Sequence, residues 1–219
     1  MKESQYNLDS EILIVDYGVG NVGAIQNMLE FLGVESRISG LPLDIQQASK
    51  IILPGVGAFD TAMSLLNQKD LVGPLSHAAL FERIPVLGIC LGMQLLGKSS
   101  EEGIRPGLGW LDSDVKKIHV GAKSGLKVPH IGWAEIGIRR TNTLLFQEDS
   151  IQRFYFDHSF YMDCKSPEIV TATIAYDSDL CCAVQDRNIF GVQFHPEKSH
   201  RFGLQLLKNF ASLPIQGHA

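Results

Sequence analysis

Pro85 to Leu95 reads P-V-L-G-I-C-L-G-M-Q-L. The first half, P-V-L-G-I, is a short β-branched apolar run of the kind that fills a buried strand. The second half continues with helical character, so a strand runs straight into a helix at Cys90. Gly88 and Gly92 flank that cysteine at two residues on either side. The pattern matches the G-x-S-x-G elbow with sulfur in place of oxygen. Such an elbow needs small neighbours, because the nucleophile sits on a sharp, strained turn. It also sets the sulfur at a helix N-terminus, where partial positive charge favours thiolate over thiol. A lone G-x-C-x-G is equally the mark of a buried structural cysteine.

Outward from this junction the chain alternates. Glu11–Asp16 and Lys50–Leu53 are further buried apolar runs, the second closed by Pro54-Gly55. Asn21–Leu32 carries apolar residues at helical spacing and stops at Gly33. Ala58–Leu66 and Leu71–Phe81 also read as helices. Strand alternating with helix predicts a parallel sheet covered on both faces. From about Trp110 the pattern changes to strand-like runs on short turns: Val128–Ile138, Phe154–Phe156, Val170–Ala175, Ala183–Gln185 and Ile189–Phe194. A last helix spans Ser199–Phe210. The expected architecture is one α/β domain over residues 1–219, its core about 11–210, with a mixed, mostly parallel central sheet and helices on both faces.

Composition bounds the function. The 219 residues are 45% hydrophobic and 20% charged, the balance of a globular chain, with a net charge of −5. No basic run offers a footprint for nucleic acid. No apolar run reaches the roughly 18 residues of a membrane span, and Met1–Ser10 lacks the basic end and apolar stretch of a secretory signal. A cytoplasmic protein is expected. Cys90, Cys164, Cys181 and Cys182 show no paired metal spacing, and the last three read as reduced structural thiols.

F-H-P-E-K, Phe194 to Lys198, follows the final strand. Residues two apart on an extended strand share a direction, so His195 and Glu197 can pair, with the carboxylate orienting the imidazole. That is what a cysteine nucleophile requires: a proton carrier held in one tautomer. His200 is close enough in sequence to suggest a metal with His195 and Glu197, but the spacing does not match the helical two-histidine zinc motif. No metal and no cofactor is expected.

The combination of G-I-C-L-G-M-Q-L-L-G (Gly88 to Gly97) with F-H-P-E-K-S (Phe194 to Ser199) resembles the class I, or triad, glutamine amidotransferases. Supporting segments are D-Y-G-V-G-N (Asp16 to Asn21), L-P-G-V-G-A-F (Leu53 to Phe59), S-E-E-G (Ser100 to Gly103), P-H-I-G-W (Pro129 to Trp133) and Y-F-D-H-S-F (Tyr155 to Phe160). The resemblance covers about residues 11 to 210. Within the family these segments look most like the branch of glutaminase subunits of imidazole glycerol phosphate synthase. The resemblance implies a Cys90–His195–Glu197 triad that hydrolyses the side-chain amide of glutamine. It implies an oxyanion hole from the backbone N–H groups of Val56 and Leu91, with Gly55 and Gly57 around the former. Glycines on both sides of Val56 would let that peptide turn over. By the same matching, Gln94, Glu102 and the backbone at Ser159 and Phe160 hold the glutamine head group.

The family passes its ammonia to a (β/α)₈-barrel partner. The matching positions are Asn21, His130, Gly132, Trp133, Tyr155, His158 and Lys198. Two positions depart from the family pattern near that face. Ala134 follows P-H-I-G-W where the family has Asn, and Asp157 stands in Y-F-x-H-S where it has an apolar residue. P-G-L-G-W-L-D (Pro106 to Asp112) and E-K-S-H-R-F-G (Glu197 to Gly203) resemble a paralogous branch that feeds ammonia to amino-sugar modification in surface polysaccharides. Both branches remain open at this point. So do two rivals of other classes: a different cysteine hydrolase on a similar scaffold, and a non-catalytic binding subunit. The late H-P-E and the Gln four residues after Cys90 argue against the first, and the intact Cys-His-Glu set against the second.

Overall fold

The computed structural model describes residues 11–140, 143–145 and 151–214. Strand β1 (Ile12–Val15) leads through helix α1 (Val22–Phe31) to β2 (Ser36–Ser39), and a short helix α2 (Pro42–Gln46) leads on to β3 (Lys50–Gly55). Helices α3 (Phe59–Gln68) and α4 (Val72–Leu80) precede β4 (Val86–Cys90), which passes directly into α5 (Leu91–Leu95). Seven strands follow, two of them only two residues long: β5 (Ser99–Ser100), β6 (Ser113–Lys117), β7 (His130–Glu135), β8 (Gly137–Ile138), β9 (Arg153–His158), β10 (Phe160–Cys164) and β11 (Val170–Tyr176). The chain closes with β12 (Ser178–Asp186), β13 (Ile189–Val192) and helix α6 (His200–Ala211).

Eight strands form one sheet in the order β2-β1-β3-β4-β13-β12-β11-β8. The pairings from β2 across to β13 are parallel, and those from β13 to β8 are antiparallel. The sheet is therefore mixed, with its parallel half wound by helices as the alternation predicts. Strand residues divide by parity. Leu13, Val15, Ile51 and Leu53 point into a core shared with Phe59, Met63, Leu66 and Leu75 of α3 and α4. Ile12, Ile14, Ile52 and Leu87 point the other way, against Ile25 and Leu29 of α1 and Leu206, Leu207 and Phe210 of α6. The period of two in the sequence becomes two apolar layers, one on each face. Burial of such side chains stabilises by about 2 kcal/mol each.

Several elements differ from the sequence reading. Val128–Ile138 is not one strand. β7 pairs with β9 in a separate two-stranded ribbon, and only β8 joins the main sheet. Gly132 at φ +136° lies within β7, and Ile136 bonds back to the carbonyl of Gln152 before the chain crosses over. β2 and β6 carry too many polar residues to stand out as strands. The helix after Cys90 is only five residues long. None of the described helices is long and apolar enough to cross a membrane.

Candidate active site

The register of the parallel sheet builds the site. Gly55 at the end of β3 lies opposite Cys90 at the end of β4, and Val192 of β13 lies opposite Ile89. Three strand ends thus deliver P-G-V-G, the elbow cysteine and the F-H-P-E turn to one place.

Cys90 has φ +54° and ψ −111°, a conformation that costs a side-chain-bearing residue of order 1–3 kcal/mol. The flanking glycines are needed for contact reasons. A Cβ on Gly92 would lie 1.8 Å from the Leu53 carbonyl oxygen, and one on Gly88 would lie 2.7 Å from the Gly92 oxygen. The elbow is packed hard against β3, so nothing larger than hydrogen fits there. Cys90 is almost fully buried and lies at the wall of a cavity of about 320 Å³.

His195 and Glu197 share a direction, but the cause differs from strand alternation. β13 ends at Val192, and Pro196–Lys198 forms a single 3₁₀ turn. The His195 N–H bonds the Tyr155 carbonyl of β9 at 2.9 Å, and Ser199 Oγ bridges the same strand, donating to the His195 carbonyl and accepting from the Tyr155 N–H. His195 Nδ1 meets Glu197 Oε1 at 2.8 Å, with both side chains buried. The other carboxylate oxygen, Oε2, is buried with no hydrogen-bond partner among the described residues. Burial opposes a charge on His195. Hydrogen bonds to Cys90 and Glu197, together with the charges of both, outweigh it and push the pKa up to about 10. His195 therefore favours its protonated form at neutral pH, steadied by the Glu197 carboxylate.

The same cavity is bordered by Val56, Gly57, Leu91, Gln94 and Glu102 from one side, and by His158, Ser159, Phe160 and Lys198 from the other. Val56 is half-exposed and Gly57 sits at φ +94°. Gln94 is buried, and its amide donates to the Phe160 carbonyl at 3.1 Å and to Gln193 Oε1 at 3.0 Å. Glu102 Oε2 accepts from the Phe59 N–H at the start of α3 at 2.8 Å. The Asp60 carboxylate of α3 accepts in turn from the N–H groups of Ile104 and Arg105, which locks the 101–105 loop against the helix. The Ser159 carbonyl is taken by Ile118 N–H.

The residues matched to a partner face separate into two sets. Asn21 is exposed at the start of α1. Trp133 is 41% exposed, lies flat on His200 at 5.6 Å and meets Tyr155 edge-on. Lys198 Nζ sits 5.3 Å above the Tyr155 ring and 3.8 Å from the Asp157 carboxylate, at the cavity mouth. His130 and His158, by contrast, are buried, with His130 Nδ1 3.1 Å from His158 Nε2. They lie beneath the surface rather than on it. His200 is spent on Trp133, and among the described residues no three His, Cys, Asp or Glu side chains gather as a metal site.

Two further residues lie near the cysteine that the sequence reading did not single out. Tyr17 is fully buried, donates to the Pro54 carbonyl at 2.9 Å, and has its ionisation pushed up by burial and by the nearby Cys90. Gln193 Nε2 lies 3.7 Å from Cys90 Sγ. The available signal for Gln193 was its place two residues before His195, which a buried core glutamine would equally show.

A family model described as glutamine amidotransferase class-I matches residues 13–212. Imidazole glycerol phosphate synthase subunit HisH 2 of Pseudomonas aeruginosa is 45% identical over 92% of this chain and 99% of its own length. The HisH subunit of Leptospira interrogans is 47% identical over 91% of this chain and 98% of its own. Among solved structures, PurLQS from Thermotoga maritima superposes with a TM-score of 0.70 at 19% identity, covering 92% of this chain and 97% of that one, which is a likeness of fold. With the elbow cysteine, the buried His–Glu pair and a family match over nearly the whole described length, this chain belongs to the class-I glutamine amidotransferase family.

Proposed function

We propose that this amidotransferase is the glutaminase subunit of an imidazole glycerol phosphate synthase, working in the cytoplasm and supplying ammonia to a (β/α)₈-barrel cyclase for histidine biosynthesis. The observation that carries the chemistry is Cys90, held at φ +54° on the cavity wall with the bonded His195–Glu197 pair beside it. The names of the Pseudomonas and Leptospira relatives support the pathway. In this reading the Cys90 thiolate attacks the amide carbon of glutamine. The His195 imidazolium gives its proton to the departing nitrogen as the C–N bond breaks, and ammonia leaves. Neutral His195 then takes a proton from water, which hydrolyses the thioester to glutamate. Glu197 steadies the imidazolium. The N–H groups of Val56 and Leu91 take the oxyanion, and Gln94 and Glu102 hold the head group. Ammonia leaves toward the face carrying Trp133, Tyr155 and Lys198.

The test has two parts. A glutamine-analogue alkylator should add mass at Cys90 only, and Cys90→Ser should abolish glutamate release while keeping the fold; labelling at Cys164, Cys181 or Cys182 instead would sink the assignment. Glutaminase activity should then rise stepwise from the chain alone, to the chain with its barrel partner, to the pair with acceptor. Full activity from the isolated chain would overturn the coupling to a partner.

One observation favours a second reading, the paralogous branch of amino-sugar modification. Asp157 departs from the family pattern and turns its carboxylate toward Lys198 at the cavity mouth, which alters the charge of the partner-facing surface. The Pseudomonas relative is itself designated a second such subunit. Which barrel restores full activity decides between the branches.

A further inference from the structure

Gln193 is completely buried between the end of β13 and His195. Its backbone N–H continues the β12 ladder by bonding the Cys182 carbonyl at 2.9 Å. Its side chain does something else: Nε2 lies 3.7 Å from Cys90 Sγ, and Oε1 accepts from Gln94 Nε2 at 3.0 Å.

The orientation of this amide follows from chemistry. The Phe160 carbonyl can only accept, so Gln94 must turn its NH₂ toward it, at 3.1 Å. That same NH₂ faces Gln193, so Gln193 must answer with its oxygen. Its own NH₂ is then left pointing at the sulfur. A carbonyl at the start of β10 therefore keys a directed chain, from backbone oxygen through two amides to the nucleophile. A flipped Gln193 would face NH₂ with NH₂ and a carbonyl oxygen with a thiolate, two repulsions in a dry site.

We propose that Gln193 is a positioning residue for the nucleophile. Its N–H holds the Cys90 sulfur as thiolate and ties it to the same hydrogen-bond chain that sets Gln94. This rests on Cys90 being the nucleophile. An N–H donor stabilises the charged form of its acceptor more than the neutral one. Without the donor the thiolate is less favoured, and the sulfur is no longer fixed relative to Gln94.

The experiment measures the rate of Cys90 alkylation by iodoacetamide as a function of pH, with the label located by peptide mass. Iodoacetamide needs no glutamine site, so the profile reports the thiolate and not substrate binding. Gln193→Met keeps the length and removes the donor. Its profile should move to higher pH by about one unit, the lower end for a hydrogen bond to a charged acceptor, so alkylation below both midpoints slows about tenfold. Gln193→Glu keeps an acceptor for Gln94 but sets oxygen against sulfur, and should move the profile further in the same direction. Thermal melting identifies which variants are folded; if Met fails, Glu carries the test. A folded variant with the wild-type profile would overturn the proposal while leaving Cys90 as nucleophile. Glutamate release by Cys90→Ala, or wild-type label only on other cysteines, would instead remove the reading on which it rests.

Discussion

The paired histidines behind the cavity make the acid stability of this protein calculable. His158 Nδ1 faces the Phe160 carbonyl at 2.9 Å, so Nδ1 carries the proton. Nε2 is then bare and accepts from His130 Nδ1. Burial is the main cause that lowers the His158 pKa, to about 4, with the neighbouring His130 adding to it and the Phe160 carbonyl opposing. His158 is thus neutral in the folded protein and protonated in the unfolded chain below its ordinary value of 6.5. The unfolded state binds the extra proton, so stability is complete above pH 6.5 and is lost as pH falls toward 4. A gap of about 2.5 units is worth at most ~3 kcal/mol, of which ~2 kcal/mol is gone by pH 5. His130, lowered by burial, acts with the same sign. His195 is raised, so its stability is complete below pH 6.5 and lost as pH rises toward about 10; it adds no slope in the acid window. Asp44, Asp60, Glu101 and Asp114 are all held low, and their stability is lost only below the ordinary carboxylate range. Between pH 6.5 and 5 the buried histidines therefore set the slope. Urea midpoints measured across that range should fall by about 1 M, taking a slope of ~2 kcal/mol/M. His158→Gln can donate to the Phe160 carbonyl and accept from His130, but does not titrate, and should flatten most of the fall. Parallel curves for the two proteins would refute the assignment of His158 as the neutral, buried partner.

Other perturbations read different parts of the site. Glu197→Gln removes a charge that raises the His195 pKa, so the alkaline decline of kcat/KM, set by loss of the imidazolium near pH 10, should move to lower pH; an unmoved limb would reduce the triad to a Cys–His dyad. That variant should also lose less activity than Cys90→Ser, since an orienter contributes less than the group it positions. Gly92→Ala drives a methyl into the Leu53 carbonyl. It should cost about 3 kcal/mol and abolish glutamate release, and a stable, active protein would disprove the tight elbow. Phe194 is fully buried and stacks on Phe154 at 3.8 Å between ring centres. Phe194→Ala should lower stability by ~3–5 kcal/mol in denaturant unfolding, and a loss below 1 kcal/mol would mean that the ring does not anchor the turn.

The parts of this molecule legible in the sequence are those where local chemistry is sufficient. Apolar runs such as I-L-I-V and V-L-G-I become fully buried strands because both faces of a parallel sheet are covered. The elbow is legible because only glycine satisfies its contacts. β2 (S-R-I-S) and β6 (S-D-V-K-K) are hidden because an edge strand and a small second sheet are held by backbone pairing, which their polar side chains do not advertise. The His195–Glu197 pair was found for a reason that the structure replaces. The 3₁₀ turn brings them together, and the bond from His195 N–H to a ribbon far away in sequence draws the chain off the sheet. Gln193 and Tyr17 were missed because a core amide or phenol carries no pattern until its neighbour is known.

The ribbon of β7 and β9 is where these facts meet. Among the described residues it pairs with no strand of the main sheet. Its outer side presents Trp133 and Tyr155, and its inner side holds His130 and His158. Through the Tyr155 carbonyl it fixes the His195 backbone. Through His158, the Phe160 carbonyl, Gln94 and Gln193 it is joined by hydrogen bonds to the Cys90 sulfur. The proposed nucleophile and proton carrier are therefore both referenced to one two-stranded element, whose outward-facing aromatics form the proposed partner face. A barrel docked on Trp133 would bear on both catalytic groups at once, without any change at the β4–α5 elbow, where close packing permits none. The Val56 peptide, flanked by Gly55 and Gly57, is the other element with freedom to respond. The two routes separate experimentally: restricting Val56 through Gly57→Ala, at φ +94°, strains the oxyanion peptide and leaves the ribbon intact. Partner-stimulated glutamate release should collapse in that variant while the alkylation profile of Cys90 stays that of wild type. A shifted profile would mean that the peptide and the sulfur are not independently held.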